Sequence, residues 1–342
     1  MTDPRLRAAR PFLAAQGWGD AAITQIAGDA SFRRYFRLMR GKQRAVLMDA
    51  PPEREEVRPF IAIARALIAR GLSAPTILAA DAGRGFLLLE DLGDRLYAPS
   101  FAAGLDEACA YQAATDVLVH LHGAPPPATL AGLDGPYALP LYDAARLERE
   151  VALFLDWLWP CIAGAAAPAT MRGDFLARWR RLWPLLGDAD CWVLLDYHSP
   201  NLMWLDERAG LARVGILDFQ DAMRGHPAYD LVSLLQDPRR DLGPGLEAAM
   251  RARYLKARPA LDEAAFAAAY ALLGAQRATR ILGVFTRLWR RDAKPGYLRH
   301  MPRLWRSLEA DLQHPALAPL AAWFDTHVPP SLRAAPLPGA PA

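Results

Sequence analysis

Cysteine, lysine, excess charge and long apolar runs are all scarce in this 342-residue chain. The three cysteines, Cys109, Cys161 and Cys191, are odd in number and far apart, with no CxxC pair. That argues against a zinc site or a disulfide framework and fits a reduced, cytoplasmic setting. Lysine occurs only at Lys42, Lys256 and Lys294, and the other 37 basic residues are arginine. High alanine, proline and arginine with so little lysine reads as genomic base composition. The net charge is only +3, from 40 basic and 37 acidic residues, which speaks against a nucleic-acid or membrane-surface partner. There is no uncharged apolar run of about 18 residues, as a membrane span needs. The opening stretch, MTDPRLRAARPFLAAQGW, has no apolar core of the kind a signal peptide carries. A Walker A sequence is also missing, which argues against a P-loop NTPase fold.

What is present is material for packed cores. Hydrophobic residues make up 53% of the chain and charged residues 23%, and at roughly 100–200 residues per domain two lobes are expected. Ser31–Met39 and Arg44–Met48 read as strands around an Arg40-Gly41-Lys42 turn. A helix is expected from about Glu53 to Arg70, with Val57, Phe60, Ile61, Ala64, Leu67 and Ile68 as its apolar stripe and Gly71 as its stop. Leu87–Leu89 is a buried strand running into Glu90-Asp91-Leu92-Gly93. These elements make a small α+β lobe, residues 1–92. A mainly helical lobe, 93–328, follows, with helices at Asp106–His122, Tyr142–Leu158 and Asp174–Leu186. It is interrupted by three short strands, Trp192–Leu195, Leu202–Leu205 and Val214–Leu217. Residues 329–342 form a flexible Pro/Ala-rich tail.

The chemistry concentrates in two segments. Leu194-Leu195 delivers Asp196 to a loop that Asn201 closes five residues later, and Ile216-Leu217 delivers Asp218 to the next loop. Phosphoryl transfer to a hydroxyl needs a carboxylate to orient the hydroxyl and take its proton. It also needs oxygen ligands to hold magnesium against the phosphates. An Asp-x4-Asn loop with an Asp after the next strand supplies both. Any one such residue is ordinarily just a turn former; the joint pattern is what carries information.

These residues resemble the aminoglycoside phosphotransferase and choline kinase branch of the kinase-like fold. The resemblance implies a bilobal α+β enzyme using ATP and Mg2+, with Asp196 as catalytic base, Asn201 and Asp218 as metal ligands, and Asp230 as structural support. The branch usually carries His two residues before the base, where this chain has Leu194. Gly28-Asp29-Ala30-Ser31-Phe32 sits where a phosphate-covering turn would lie, which makes Ser31 and Phe32 nucleotide contacts. The usual lysine position on the second strand is Met48. Arg34, on the face of Phe32, Phe36 and Leu38, is therefore expected to replace that lysine, with Glu56 or Glu53 as its partner; the plain alternative is a surface arginine lying over the sheet. The Glu90 carbonyl and Leu92 N–H would hold the adenine edge.

A closer resemblance joins Gly28–Ser31, Met48-Asp49-Ala50-Pro51-Pro52, Glu90–Asp94 and Leu217–Ala222 to the anomeric N-acetylmuramate/N-acetylglucosamine kinases. It implies a small amino-sugar substrate phosphorylated on its C1 hydroxyl during cell-wall sugar recycling. Gln276, Arg280, Gly283, Arg287 and Arg290 share one side of a helix. Such a stripe is ordinarily a solvated face, but Arg287 and nearby Tyr297 are retained as substrate contacts. A kinase of another small alcohol, aminoglycoside- or choline-like, and a non-catalytic nucleotide-binding module are the competing readings. Oligomeric state is not legible.

Overall fold

A computed structural model describes residues 3–26, 32–188 and 190–340. The chain forms two compact units. The first comprises Met1–Val117, Pro127–Leu139 and Ser199–Ala222; the second comprises Leu118–Pro126, Pro140–His198 and Met223–Ala342.

The first unit is built on a five-stranded antiparallel sheet: β1 (Ala22–Ile26), β2 (Arg34–Arg40), β3 (Gln43–Asp49), β4 (Ile77–Asp81) and β5 (Phe86–Leu89), in the order β1-β2-β3-β5-β4. Side chains alternate across a strand, and the two faces have different fates. Helix α1 (Pro4–Ala15), capped by Asp3, seals one face, where Phe12 and Leu13 meet Phe36, Leu38, Ala45, Leu47, Phe86 and Leu88. Helix α2 (Arg58–Ala69) serves the other, where Phe60 stands with Tyr35, Val46 and Leu89.

Two expectations about this unit are corrected. Helix α2 begins at Arg58, not near Glu53. Pro59 occupies the first turn, as proline prefers, and Pro51–Glu55 close a separate turn through Glu55 N–H to Pro51 O, 2.9 Å. A single cut at residue 92 also does not describe the grouping. Ser199–Ala222, with its hairpin Leu202–Trp204/Val214–Ile216, belongs with the sheet, because Gly215 bridges Ser73 and Met203 bridges Leu96.

Gly85 closes the β4–β5 turn at φ +73°, where an added Cβ would lie 1.8 Å from Ala50 O. Gly85→Ala is expected to cost at least about 2 kcal/mol, combining the left-handed penalty with displacement of the chain. An unchanged urea midpoint would refute this.

The second unit is organised around one helix, Glu263–Arg290, capped by Asp262 and buried over most of its length. Ala144–Leu153 and Met301–Asp311 are further helices of this unit. Gly283 lets the long helix close on the backbone of Leu153, since a Cβ there would lie 2.5 Å from it. Phe154, Phe175, Trp305, Trp323 and Phe324 form an aromatic cluster. Cys191–Val193 pairs with Met223–Gly225, a strand the sequence pattern had not suggested. The tail is partly ordered: Pro330–Ala334 is helical, and Arg333 pairs with Glu309 and Asp325 at 3.1 and 2.6 Å. Among the described residues no helix is long and apolar enough to cross a membrane.

Candidate active site

The first unit contains a cavity of about 470 Å3, the size of a small-molecule site. Its walls are apolar, with Ile26, Val46, Leu89, Leu92, Met203 and Leu217. Polar groups gather at Glu90–Asp94 and at Arg33, Asn201 and Asp218.

Around Glu90–Asp94 the chain is tightly braced. Glu90 N–H donates to Thr76 O at 2.8 Å, and the Glu90 carboxylate takes a 2.8 Å hydrogen bond from Thr76 Oγ1 and pairs with Arg208. Arg37 reaches Asp91 at 2.8 Å, Asp94 at 2.7 Å and Gly93 O at 3.1 Å. Among the described residues, the Glu90 carbonyl and the Leu92 N–H take no hydrogen bond within the protein. Both residues line the cavity.

Asn201 stands in a short 3-10 turn, and its Nδ2 lies 3.4 Å from Asp218 Oδ2. Gln220 Nε2 donates to Asp218 Oδ1 at 3.0 Å, and Arg33 Nη2 lies 3.2 Å from the same oxygen. Asp218 holds φ +56°, a backbone strain that short polar side chains tolerate and functional loops retain. Arg33 also reaches Glu55, with Nε 3.9 Å from Oε2.

Of the other expected nucleotide contacts, Phe32, Arg34 and Glu56 are not among the residues that line this cavity. Arg34 and Glu56 are not brought together. Arg34 points to the α1 side of the sheet, where it pairs with Asp3 and Asp49, each at 2.5 Å. Glu56 lies before α2 and pairs with the exposed Arg58 at 3.1 Å. Glu53 is exposed. Phe32 is exposed beneath the Arg54 guanidinium, 4.9 Å from the ring centroid. Ser31 and the Gly28–Ser31 motif lie outside the described residues.

Asp196 belongs to the second unit, and its loop is built from the interior outward. Asp230, fully buried, accepts the N–H groups of Leu194 at 2.7 Å and Leu195 at 3.0 Å. Ser233 donates to Leu195 O at 2.9 Å and accepts from Arg277 Nη2 at 2.8 Å. Leu195 is thereby held at φ +67°, unusual for a branched side chain. His122, with Nε2 3.6 Å from Asp230 and Nδ1 2.8 Å from Tyr254 Oη, backs this arrangement.

The Asp196 carboxylate faces cations. Burial works to raise its pKa, but His198, Arg280, Arg277 and Arg239 together outweigh burial and hold it below the ordinary 3.8. Arg277 Nη2 is 3.9 Å away and His198 Nε2 is 3.9 Å away. Burial pushes His198 itself down to about 4. Sequence reasoning missed Arg239 and Arg277; Arg280, at 22% side-chain exposure, is paired with Glu150 at 3.5 Å. Arg287 is half-buried, and burial first, then Arg291 and Arg280, lower its pKa. Tyr297 packs on Phe285 with ring centroids 5.1 Å apart and the planes tilted by 38°.

Burial also pushes His226 down to about 4. A histidine depressed in the fold resists protons that the unfolded chain accepts, so stability is full above pH about 6.5 and falls toward pH 4. The melting temperature is expected to drop between pH 7 and 5; a flat profile there would contradict it.

Residues 22–267 match the model of the phosphotransferase enzyme family. The N-acetylmuramate/N-acetylglucosamine kinase of Caulobacter vibrioides is 43% identical, over 97% of this chain and 99% of its own length. That of Pseudomonas aeruginosa is 37% identical over 90% of this chain and 89% of its own. Among solved structures, choline kinase LicA from Streptococcus pneumoniae superposes with a TM-score of 0.64 at 11% identity, covering 90% of this chain and all of LicA. ADP-bound aminoglycoside phosphotransferase APH(2'')-Ib gives 0.59 at 14% identity, over 89% and 98%. At these identities the structural likenesses establish a kinase-like fold and nothing finer.

Proposed function

The chain belongs to the phosphotransferase enzyme family, and from that premise we propose that it transfers the γ-phosphoryl group of ATP to the anomeric C1 hydroxyl of N-acetylmuramate, N-acetylglucosamine or both. One observation carries the reading. A cavity with an open hydrogen-bonding edge at Glu90–Leu92 and the Asn201 carboxamide beside the Asp218 carboxylate occurs in a chain that matches kinases of that name along almost its full length.

In this reading the adenine edge meets the Glu90 carbonyl and Leu92 N–H, and the apolar walls take its faces. A carboxylate beside a carboxamide suits a hard cation such as Mg2+. Among the described residues no cluster of three or more His, Cys, Asp or Glu could hold a metal alone. Asn201 and Asp218 thus fit an ion that takes its remaining ligands from phosphate oxygens and water. Bound there, Mg2+ neutralises charge on the phosphates. Asp196 orients the sugar hydroxyl and accepts its proton. Asp230 fixes the loop that presents Asp196, and Arg287 and Tyr297 remain candidate sugar contacts.

The arginines around Asp196 disfavour cationic acceptors such as choline or aminoglycosides, which need an acidic surrounding. They suit a neutral or anionic sugar, and the lactyl carboxylate of N-acetylmuramate is of the second kind. Such an enzyme works in the cytoplasm, where ATP is available. ATP consumption across a panel of N-acetylmuramate, N-acetylglucosamine, glucose, choline and kanamycin checks this. Turnover with one or both N-acetyl sugars is expected, and turnover confined to choline or kanamycin would overturn the substrate assignment.

A further inference from the structure

A cavity that binds a polyphosphate needs a cation aimed at it, and this chain has no lysine to supply one. Lys42 is exposed in the β2–β3 turn, Lys256 and Lys294 are exposed in the second unit, and Met48 fills the β3 position as a fully buried side chain. Among the described residues lining the cavity the cations are Arg33 and Arg37. Arg37 is committed to Asp91, Asp94 and Gly93 O, beside the proposed adenine edge.

Arg33 stands with Asp218 instead. Its side chain is only 11% exposed and lies between two carboxylates, 3.2 Å from Asp218 Oδ1 and 3.9 Å from Glu55 Oε2. Strand alternation accounts for its direction: Arg33 precedes β2 in phase with Tyr35 and Arg37, which also line the cavity, whereas Arg34 is in phase with Phe36 and Leu38 under α1. Glu55 is placed by the turn closed on Pro51 O, just ahead of α2.

We infer that Arg33 is the cation that binds the α- and β-phosphates, and that Glu55 is the carboxylate that positions it. The inference rests on the kinase reading. Arginine is suited to the task because its charge is permanent and its planar fork serves several oxygens at once. Glu55 at Nε and Asp218 at Nη2 hold one edge of the guanidinium, so the cation keeps its place before nucleotide arrives. The contact with Asp218 also links the phosphate-binding cation to the proposed metal ligand.

Calorimetric titration of ADP and of adenosine separates phosphate recognition from adenine recognition. Arg33→Ala is expected to weaken ADP binding about tenfold or more, the loss of a charge-assisted contact, while adenosine affinity stays within about twofold. Arg33→Lys is expected to recover part of the ADP affinity, which also guards against misfolding as the cause. Glu55→Gln should weaken ADP binding more than adenosine binding. Wild-type protein that binds ADP no better than Arg33→Ala would overturn the inference and leave the kinase reading standing. Equal losses for ADP and adenosine would also overturn it, by showing a structural role. Wild-type protein that fails to bind ADP at all would overturn both.

Discussion

Asp196→Asn is expected to lower kcat by at least about 100-fold, the usual range for losing a positioned general base, with ADP affinity and melting temperature nearly unchanged. Asparagine keeps the shape but cannot take a proton. The Asp196 side chain is 37% exposed, so little packing is lost. His198, Arg280, Arg277 and Arg239 together hold the Asp196 pKa below 3.8 against burial, so the carboxylate is ionised through the neutral range, and no loss of kcat/KM from its protonation is expected between pH 8 and 6. Steady-state kinetics with saturating ATP measure the effect. A variant retaining more than about a third of wild-type kcat would remove Asp196 from the chemistry.

Asp230→Ala should combine a stability loss with an activity loss. Its carboxylate satisfies two buried N–H groups, those of Leu194 and Leu195. Each left unpaired costs about 1–3 kcal/mol, so the sum is roughly 2–6 kcal/mol by that measure. The loop is also released from the φ +67° at Leu195 that sets the direction of Asp196. A base displaced by even about 1 Å loses on the order of 100-fold in rate. Asp230 does not line the first unit's cavity, so ADP affinity in the folded fraction should survive. Denaturant titration and kcat read the two losses, and a variant within about 1 kcal/mol of wild type with normal kcat would contradict the support role.

The proposed residues Asp196 and Asp218 stand out as a pattern because each follows a short apolar strand, with Asn201 in the 3-10 turn that leads into the next one. Glu90 and Leu92 were legible for the same reason. The proposed phosphate cation Arg33 does not stand out in this way, because alternation divides β2 into two faces without saying which one is sealed. The sealing element is α1, whose role depends on long-range packing of Phe12 and Leu13 that local periodicity does not display. With α1 unplaced, Arg34 beside Phe36 and Leu38 looked like a shielded site cation. Glu56 precedes α2 instead of standing on it, because Pro59 sets the helix start after the apolar stripe has begun at Val57. The support around Asp196 was only partly visible: Asp230 came by resemblance, while His122, Ser233 and Arg277 act on the loop from distant parts of the chain. The grouping of Ser199–Ala222 with the sheet was hidden likewise, resting on isolated bridges at Ser73 and Leu96.

In the proposed reaction phosphate is delivered to the anomeric oxygen of an N-acetyl amino sugar. Phosphorus NMR of a reaction containing the protein, ATP, Mg2+ and N-acetylmuramate or N-acetylglucosamine tests it directly. A sugar phosphate resonance coupled to the C1 proton, growing in step with ADP, is the predicted result. Phosphate found only on another carbon, or only as inorganic phosphate, would contradict it.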